Sequence, residues 1–199
     1  MGRLRQTNMQ IVNWPDLEDK GIKRIFKSFI RKLRGESDIY RLINKGMKVG
    51  EKFWCGDGCA IDTSFCYLIE IGNNVTLSNR VQIITHDSSL WDFVHRTKLG
   101  LVQIDDFAFV GARTLIMPGV HIGEGAIIAA GSLITKDIPS GEVWGGYPAK
   151  KMMDRSDLEK KFCSDEYKMF GVDYLNTLNE KTQQEVVNEL KCKKRCFIS

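Results

Sequence analysis

From Ile104 onward the sequence keeps a period of six: IDDFAF VGARTL IMPGVH IGEGAI IAAGSL ITKDIP. The first positions, Ile104, Val110, Ile116, Ile122, Ile128 and Ile134, are all β-branched aliphatics. The next position is small or polar in most units (Asp105, Gly111, Gly123, Ala129, Thr135). The fifth is small to medium in most (Ala108, Thr114, Val120, Ala126, Ser132). Neither helical nor alternating periodicity accounts for a repeat of this length. A β-solenoid does: each unit makes one short face of a coil, and its aliphatic points inward onto its equivalents above and below. The small neighbour lets the backbone turn the corner, and three such faces close a coil of 18 residues.

The same pattern runs upstream in broken phase. Val49, Cys55 and Ile61 are spaced by six, as are Ile71, Leu77 and Ile83. Ile61 to Ile71 spans ten residues, and Ile83 to Ile104 spans 21. Such slips mark loops that leave the coil, and these commonly build a binding face. The larger slip, residues 85–101, begins at Thr85-His86-Asp87 and continues through a polar, aromatic stretch. His86 therefore opens an excursion.

Before the repeats, KGIKRIFKSFIRKLR (20–34) places Ile22, Ile25, Phe26, Phe29, Ile30 and Leu33 on one helical stripe, with a basic remainder. That helix docks on the solenoid or a neighbouring chain, or else lies on an anionic membrane. A second short helix spans Asp38 to Lys45 and stops at Gly46. After the repeats, IPSGEVWGGYPAKKM is turn-rich. Ser156-Asp157-Leu158-Glu159 fits a capping box, and residues 180–192 read as a helix with Val186, Val187 and Leu190 facing inward. These tail segments are expected to cover the end of the stack, where strand edges would otherwise stay unpaired. The domain reading is 1–46 helical, 47–149 β-helix with loop 85–101, and 150–199 helical tail.

A net charge of +4 does not by itself indicate nucleic acid, and none is expected as partner. No apolar run approaches a membrane span, and the N-terminal stretch has no signal-peptide core. The expected location is the cytoplasm, at the inner membrane face if 20–34 meets lipid. Cys55 and Cys59 are four apart, as are Cys192 and Cys196; neither pair has zinc-ribbon spacing. Together with Cys66 and Cys163 they are read as reduced thiols. Cys196-Phe197-Ile198-Ser199 matches a prenylation signature but is read as the end of a solvated basic tail.

Two stretches carry a resemblance. IGEGAIIAAGSLITKDIPSGEVWGGYPAKKM resembles the end of a hexapeptide-repeat acyltransferase domain. LIEIGNNVTLSNRVQIITHD resembles the histidine-bearing coil of the small sugar O-acetyltransferases, closest to the polysaccharide-biosynthesis branch. The resemblance spans roughly residues 38–153. It implies a mainly β fold, a left-handed parallel β-helix flanked by N-terminal helices and a C-terminal helical tail. It further implies a homotrimer with active sites in clefts between neighbouring chains, acetyl-CoA as co-substrate, no metal, and direct acyl transfer.

Acyl transfer to a hydroxyl needs a base, and an imidazole suits the task. His86 matches the family's catalytic histidine, and its other ring nitrogen should meet a carboxylate or carbonyl. Asp87 is adjacent but points to the opposite strand face. A backbone N–H should hold the oxyanion, and Gly111-Ala112 matches the family segment for that approach. By the same match Ala112, Ala130, Thr135, Lys136 and Lys150 are expected coenzyme contacts, with Lys151 beside them. An arginine often present in the family is replaced here by Met153. An asparagine that assists one coil before the histidine has no clear match. Asp87, Trp91, Asp92, His95 and Arg96 are candidate acceptor contacts, and His121 reads as surface decoration.

The function expected is acetyl-CoA-dependent O-acetylation of a saccharide or sugar nucleotide, in surface polysaccharide or lipopolysaccharide synthesis. The alternatives are N-acetylation of an amino-sugar nucleotide, a xenobiotic acetyltransferase, and a non-enzymatic structural or binding solenoid. A zinc enzyme of the gamma carbonic anhydrase type fits poorly. It needs a histidine five residues after His121, where the chain has Ala126.

Overall fold

In a computed structural model, the residues described are 38–163, 169–170, 180–193 and 197–198; the basic stretch 20–34 lies outside them. The chain divides into two compact units, Met1–Arg155 and Ser156–Ser199.

The first unit is the solenoid. Numbering strands in chain order, one parallel sheet stacks β1 (Lys48–Val49), β4 (Ile69–Ile71), β9 (Val102–Ile104) and β12 (His121–Ile122). A second stacks β2 (Trp54–Cys55), β5 (Thr76–Leu77), β10 (Phe109–Val110), β13 (Ile127–Ile128) and β15 (Glu142–Gly146). A third stacks β3 (Ala60–Ile61), β6 (Gln82–Ile83), β11 (Leu115–Ile116) and β14 (Leu133–Ile134). The chain visits the sheets in turn, so neighbours within a sheet belong to successive coils: a left-handed parallel β-helix. Ile104 pairs with Ile122, Val110 with Ile128, and Ile116 with Ile134, each across 18 residues.

The periodic aliphatics form the core. Ile71, Leu77, Ile83, Ile104, Val110, Ile116, Ile122, Ile128 and Ile134 are all buried. Each such side chain contributes about 1.5–3 kcal/mol of burial, set against the entropy of ordering the chain. The fifth positions Ala108, Thr114, Val120, Ala126 and Ser132 are buried as well, which is why they must be small. Cys55 takes the inward place that Leu77 and Val110 hold in later coils. Cys55, Cys59 and Cys66 are buried, and Cys163 is exposed.

Gly111 shows how closely the corners stack. A Cβ there would sit 2.5 Å from Ala130 N and 2.6 Å from Ile128 O, both backbone atoms that cannot swing away. We expect Gly111→Ala to destabilise the protein by about 2–4 kcal/mol, read as a lowered urea midpoint at unchanged m-value.

Both ends of the coil are closed. At the start, the helix Ile39–Asn44 buries Ile39 and Leu42 in the core, and its Asp38 cap accepts from Arg41 N–H at 3.3 Å. At the finish the stretch expected as turns is a hairpin: β16 (Ala149–Asp154) returns antiparallel on β15, and Trp144 and Ala149 join the core.

The second unit has a helix over Arg155–Phe162, whose first residue belongs to the solenoid unit, and another over Glu180–Lys193. The first begins one residue before the expected Ser156 cap. In the second, Val187 and Leu190 are exposed rather than inward. Among the described residues no helix is long and apolar enough to cross a membrane.

Candidate active site

The two phase slips meet at one corner, between the third and first sheets. The short slip turns there through Asp62 to Leu68, ending in a single 3-10 turn, Cys66–Leu68. The long slip leaves one coil later. Its stem is a two-stranded ribbon in which β7 (His86–Asp87) pairs antiparallel with β8 (Lys98–Leu99), closed by Gly100 N–H to Thr85 O at 2.9 Å. A one-turn helix, Trp91–Val94, forms its tip.

His86 stands at the base of this arm with its Nδ1 on Asp62 Oδ2. The same oxygen accepts from Thr85 Oγ1 at 2.7 Å and Thr85 N–H at 3.2 Å. Asp62 Oδ1 accepts from the N–H groups of Ser64 at 2.9 Å and Phe65 at 3.3 Å. The Asp62 side chain is 4% exposed and that of His86 is 34% exposed. An ionised carboxylate only accepts, so the arrangement puts the proton on Nδ1 and leaves Nε2 with a lone pair. Among the described residues nothing bonds Nε2. Phe65 lies against the imidazole, ring centroids 5.1 Å apart, and limits how the ring can tilt.

Burial alone would push the Asp62 carboxyl up. Hydrogen bonds from Thr85 Oγ1 and His86, then from the Ser64 and Thr85 N–H groups, outweigh it and hold the carboxyl at about 2, from an ordinary 3.8. A depressed carboxyl contributes stability above its unfolded value that is lost as pH falls through the folded one. Asp62 should therefore add on the order of 2 kcal/mol above pH about 4, vanishing toward pH 2. Acid unfolding followed by circular dichroism should show this limb in the wild type and a shallower one in Asp62→Asn.

The remaining expected residues fall into groups. Asp87 is exposed and bonds within its own turn: it accepts from Ser89 N–H at 2.9 Å, and the Ser89 hydrogen bonds lower its carboxyl. Trp91, Asp92, His95 and Arg96 line the exposed arm. His95 caps the tip helix in a left-handed turn (φ 52°) with its ring 5.9 Å from Trp91. His121 is exposed, its Nε2 2.8 Å from Asp105 Oδ2.

Thr135 and Lys136 share the His86 corner two coils on. Ala112 and Ala130 line the preceding corner, between the second and third sheets, so one chain holds the two groups on opposite edges of the third sheet. Lys136 Nζ lies 5.1 Å above the Trp144 ring, and Lys150 is exposed on β16 opposite Gly145. Lys151 differs: it pairs with Glu142 at 2.8 Å and Asp154 at 2.7 Å, and Asp154 first, then Glu142, raises its ammonium pKa. One expectation is corrected. The Gly111 N–H is committed to Ile128 O at 2.8 Å, so Gly111 has no donor to offer an oxyanion.

Asp62, Thr85 and Phe65 were not singled out in the sequence. A signal was present: Ile61 pairs with Ile83 in the third sheet, so the residue after Ile61 must lie beside the point where the chain leaves for His86.

Residues 102–136 match the family described as bacterial transferase hexapeptide (six repeats). The putative acetyltransferase YvoF of Bacillus subtilis (strain 168) is 32% identical over 123 residues, 62% of this chain and 69% of its own. Protein CapG of Staphylococcus aureus is 33% identical over 168 residues, 79% of this chain and 90% of its own. The galactoside O-acetyltransferase of Escherichia coli (strain K12) is 25% identical over 158 residues, 74% and 73% of the two chains.

Proposed function

The chain belongs to the hexapeptide-repeat transferases and is an acyltransferase, and from that premise we propose that it carries acetyl from acetyl-CoA to a saccharide hydroxyl, with His86 as general base. The observation that carries the reading is the buried, five-fold hydrogen-bonded Asp62 carboxylate on Nδ1 of His86. It fixes the tautomer in which Nε2 can take a proton from an incoming hydroxyl. The likeness to a galactoside O-acetyltransferase supports a sugar as acceptor.

The acceptor hydroxyl attacks the thioester carbonyl as its proton passes to Nε2. The tetrahedral intermediate collapses, and the imidazolium returns the proton to the departing thiolate. Asp62 steadies the imidazolium without taking its proton. Ala112 and Ala130 leave room for the pantetheine arm along the wall, while Lys136 and Lys150 supply charge for the coenzyme phosphates.

Three copies complete the site in this reading. The outer faces of the second and third sheets are mostly apolar, with Trp54, Phe109, Ile127, Leu115 and Leu133 beside Ala60, Thr76 and Gln82; Trp54 is 41% and Phe109 42% exposed in the single chain. The first sheet instead presents Lys48, Glu70, Gln103 and His121. Packing the two apolar faces against neighbours sets the Ala112–Ala130 corner of one copy against the His86 corner of the next. Setting is cytoplasmic, in surface polysaccharide synthesis.

The test is free-thiol release from acetyl-CoA across sugars, sugar nucleotides and glycan extracts. Acceptor-dependent release is expected. No release with any acceptor, joined to no coenzyme A binding by titration calorimetry, would overturn the reading in favour of a non-catalytic solenoid.

A further inference from the structure

The corner between the second and third sheets carries two arginines that acyl transfer does not use. Its turn position is Gly58, Arg80, Arg113 and Gly131 in successive coils, at φ values of 76°, 61°, 60° and 71°. The outer two are glycines, which adopt this left-handed conformation without strain; the inner two are not.

The turns sit directly on one another. Arg80 N–H donates to Asp57 O at 2.9 Å, Arg113 N–H to Asn79 O at 2.9 Å, and Gly131 N–H to Ala112 O at 2.7 Å. The two arginines are thus one strand spacing apart, about 4.8 Å between backbones, and stacked like charges repel. Arg80 lies over Gly58, its Cγ 3.0 Å from where a Cβ would stand. Both side chains are exposed. Among the described residues neither guanidinium has a carboxylate within ion-pair distance, the nearby Asp57 included. Two exposed guanidinium forks one coil apart on the same corner, neither with a carboxylate partner among the described residues, can together take an anion.

The level in the stack says which anion. The expected coenzyme contacts climb from Ala112 in the third coil through Ala130, Thr135 and Lys136 in the fourth to Lys150 on the closing hairpin. Arg80 lies lower, in the coil of Ile83 from which the His86 arm departs. In the acyl-transfer reading that level, toward the His86 arm, is the side on which the acceptor would meet the thioester. We infer that Arg80 and Arg113 bind the phosphate or diphosphate of the acceptor, which makes the acceptor a phosphorylated or diphosphate-linked saccharide. The inference rests on the acyl-transfer reading, in which this corner faces the neighbour's His86.

The experiment is the thermal midpoint of the full chain titrated with inorganic diphosphate, with and without saturating coenzyme A. Wild type and His86→Ala should both be stabilised, and coenzyme A should leave the response intact. Arg80→Gln/Arg113→Gln should weaken apparent diphosphate affinity at least about tenfold, the loss of two charge-assisted contacts. Arg80→Gly/Arg113→Gly should lose the response while matching or exceeding the wild-type midpoint without ligand, because glycine suits the turn. No response in wild type, or an equal one in either double variant, overturns the site. A response abolished by coenzyme A reassigns the anion to the coenzyme and overturns the acceptor class. None of these readouts needs turnover, so failure of acyl transfer would show separately, as thiol release absent from a protein that still binds diphosphate.

Discussion

His86→Ala should lower kcat for acceptor-dependent thiol release by about two orders of magnitude or more, with the KM for acetyl-CoA within about threefold of wild type. A sugar hydroxyl is a poor nucleophile until its proton leaves in the transition state, and in the proposed mechanism Nε2 of His86 takes it. The substitution should not unfold the chain. The ring is one-third exposed, and Asp62 keeps its bonds to Thr85, Ser64 and Phe65. A thermal midpoint lowered by no more than the loss of the single His86–Asp62 bond, beside lost turnover, separates a chemical defect from a structural one. If the variant retained full kcat, His86 would not be the base, and an amine acceptor, which demands less of one, would take the place of the hydroxyl.

The solenoid was legible because its determinant is one-dimensional. A β-branched aliphatic every sixth residue dictates which side chains turn inward, and Ile104 to Ile134 pair as that spacing requires. The phase slips were equally plain, since an interrupted period shows where the chain departs. What the chain does after departing was not legible. Antiparallel closure of His86–Asp87 on Lys98–Leu99 depends on two-residue pairings with no periodic signal. The same holds for the closing hairpin, where Glu142–Gly146 and the start of Ala149–Asp154 lie within a stretch that reads as turns and the rest of the second strand falls where a helical tail is expected. Asp62 was hidden for another reason: its role arises only when two coils stack in register and bring its carboxylate onto an imidazole 24 residues away in sequence. Gly111 erred the opposite way. A resemblance assigned it a donor, whereas the ladder bond that lets coils stack so closely had already taken that N–H.

Asp62→Asn should lower kcat by about two to four orders of magnitude while the KM for acetyl-CoA stays near wild type. Asn Oδ1 can still accept from the Ser64 and Phe65 N–H groups, which places its NH2 where Oδ2 stood. That NH2 then faces three donors: Thr85 Oγ1, Thr85 N–H and Nδ1–H of His86. The imidazole can relieve its part by moving the proton to Nε2 and accepting at Nδ1, and an Nε2–H cannot deprotonate a hydroxyl. Thr85 is fully buried, so its N–H loses an acceptor at a cost of about 1–3 kcal/mol, which lowers the midpoint without abolishing the fold. Nitrogen-15 shifts of the imidazole distinguish the cases. Nδ1–H is expected in the wild type and Nε2–H in the variant, and a purely structural Asp62 would leave the tautomer unmoved. In a His86→Ala background the Asp62→Asn change should cost no further activity, because two residues that act as a unit are lost together. A further loss in that background would mean that Asp62 serves the reaction by a route other than His86.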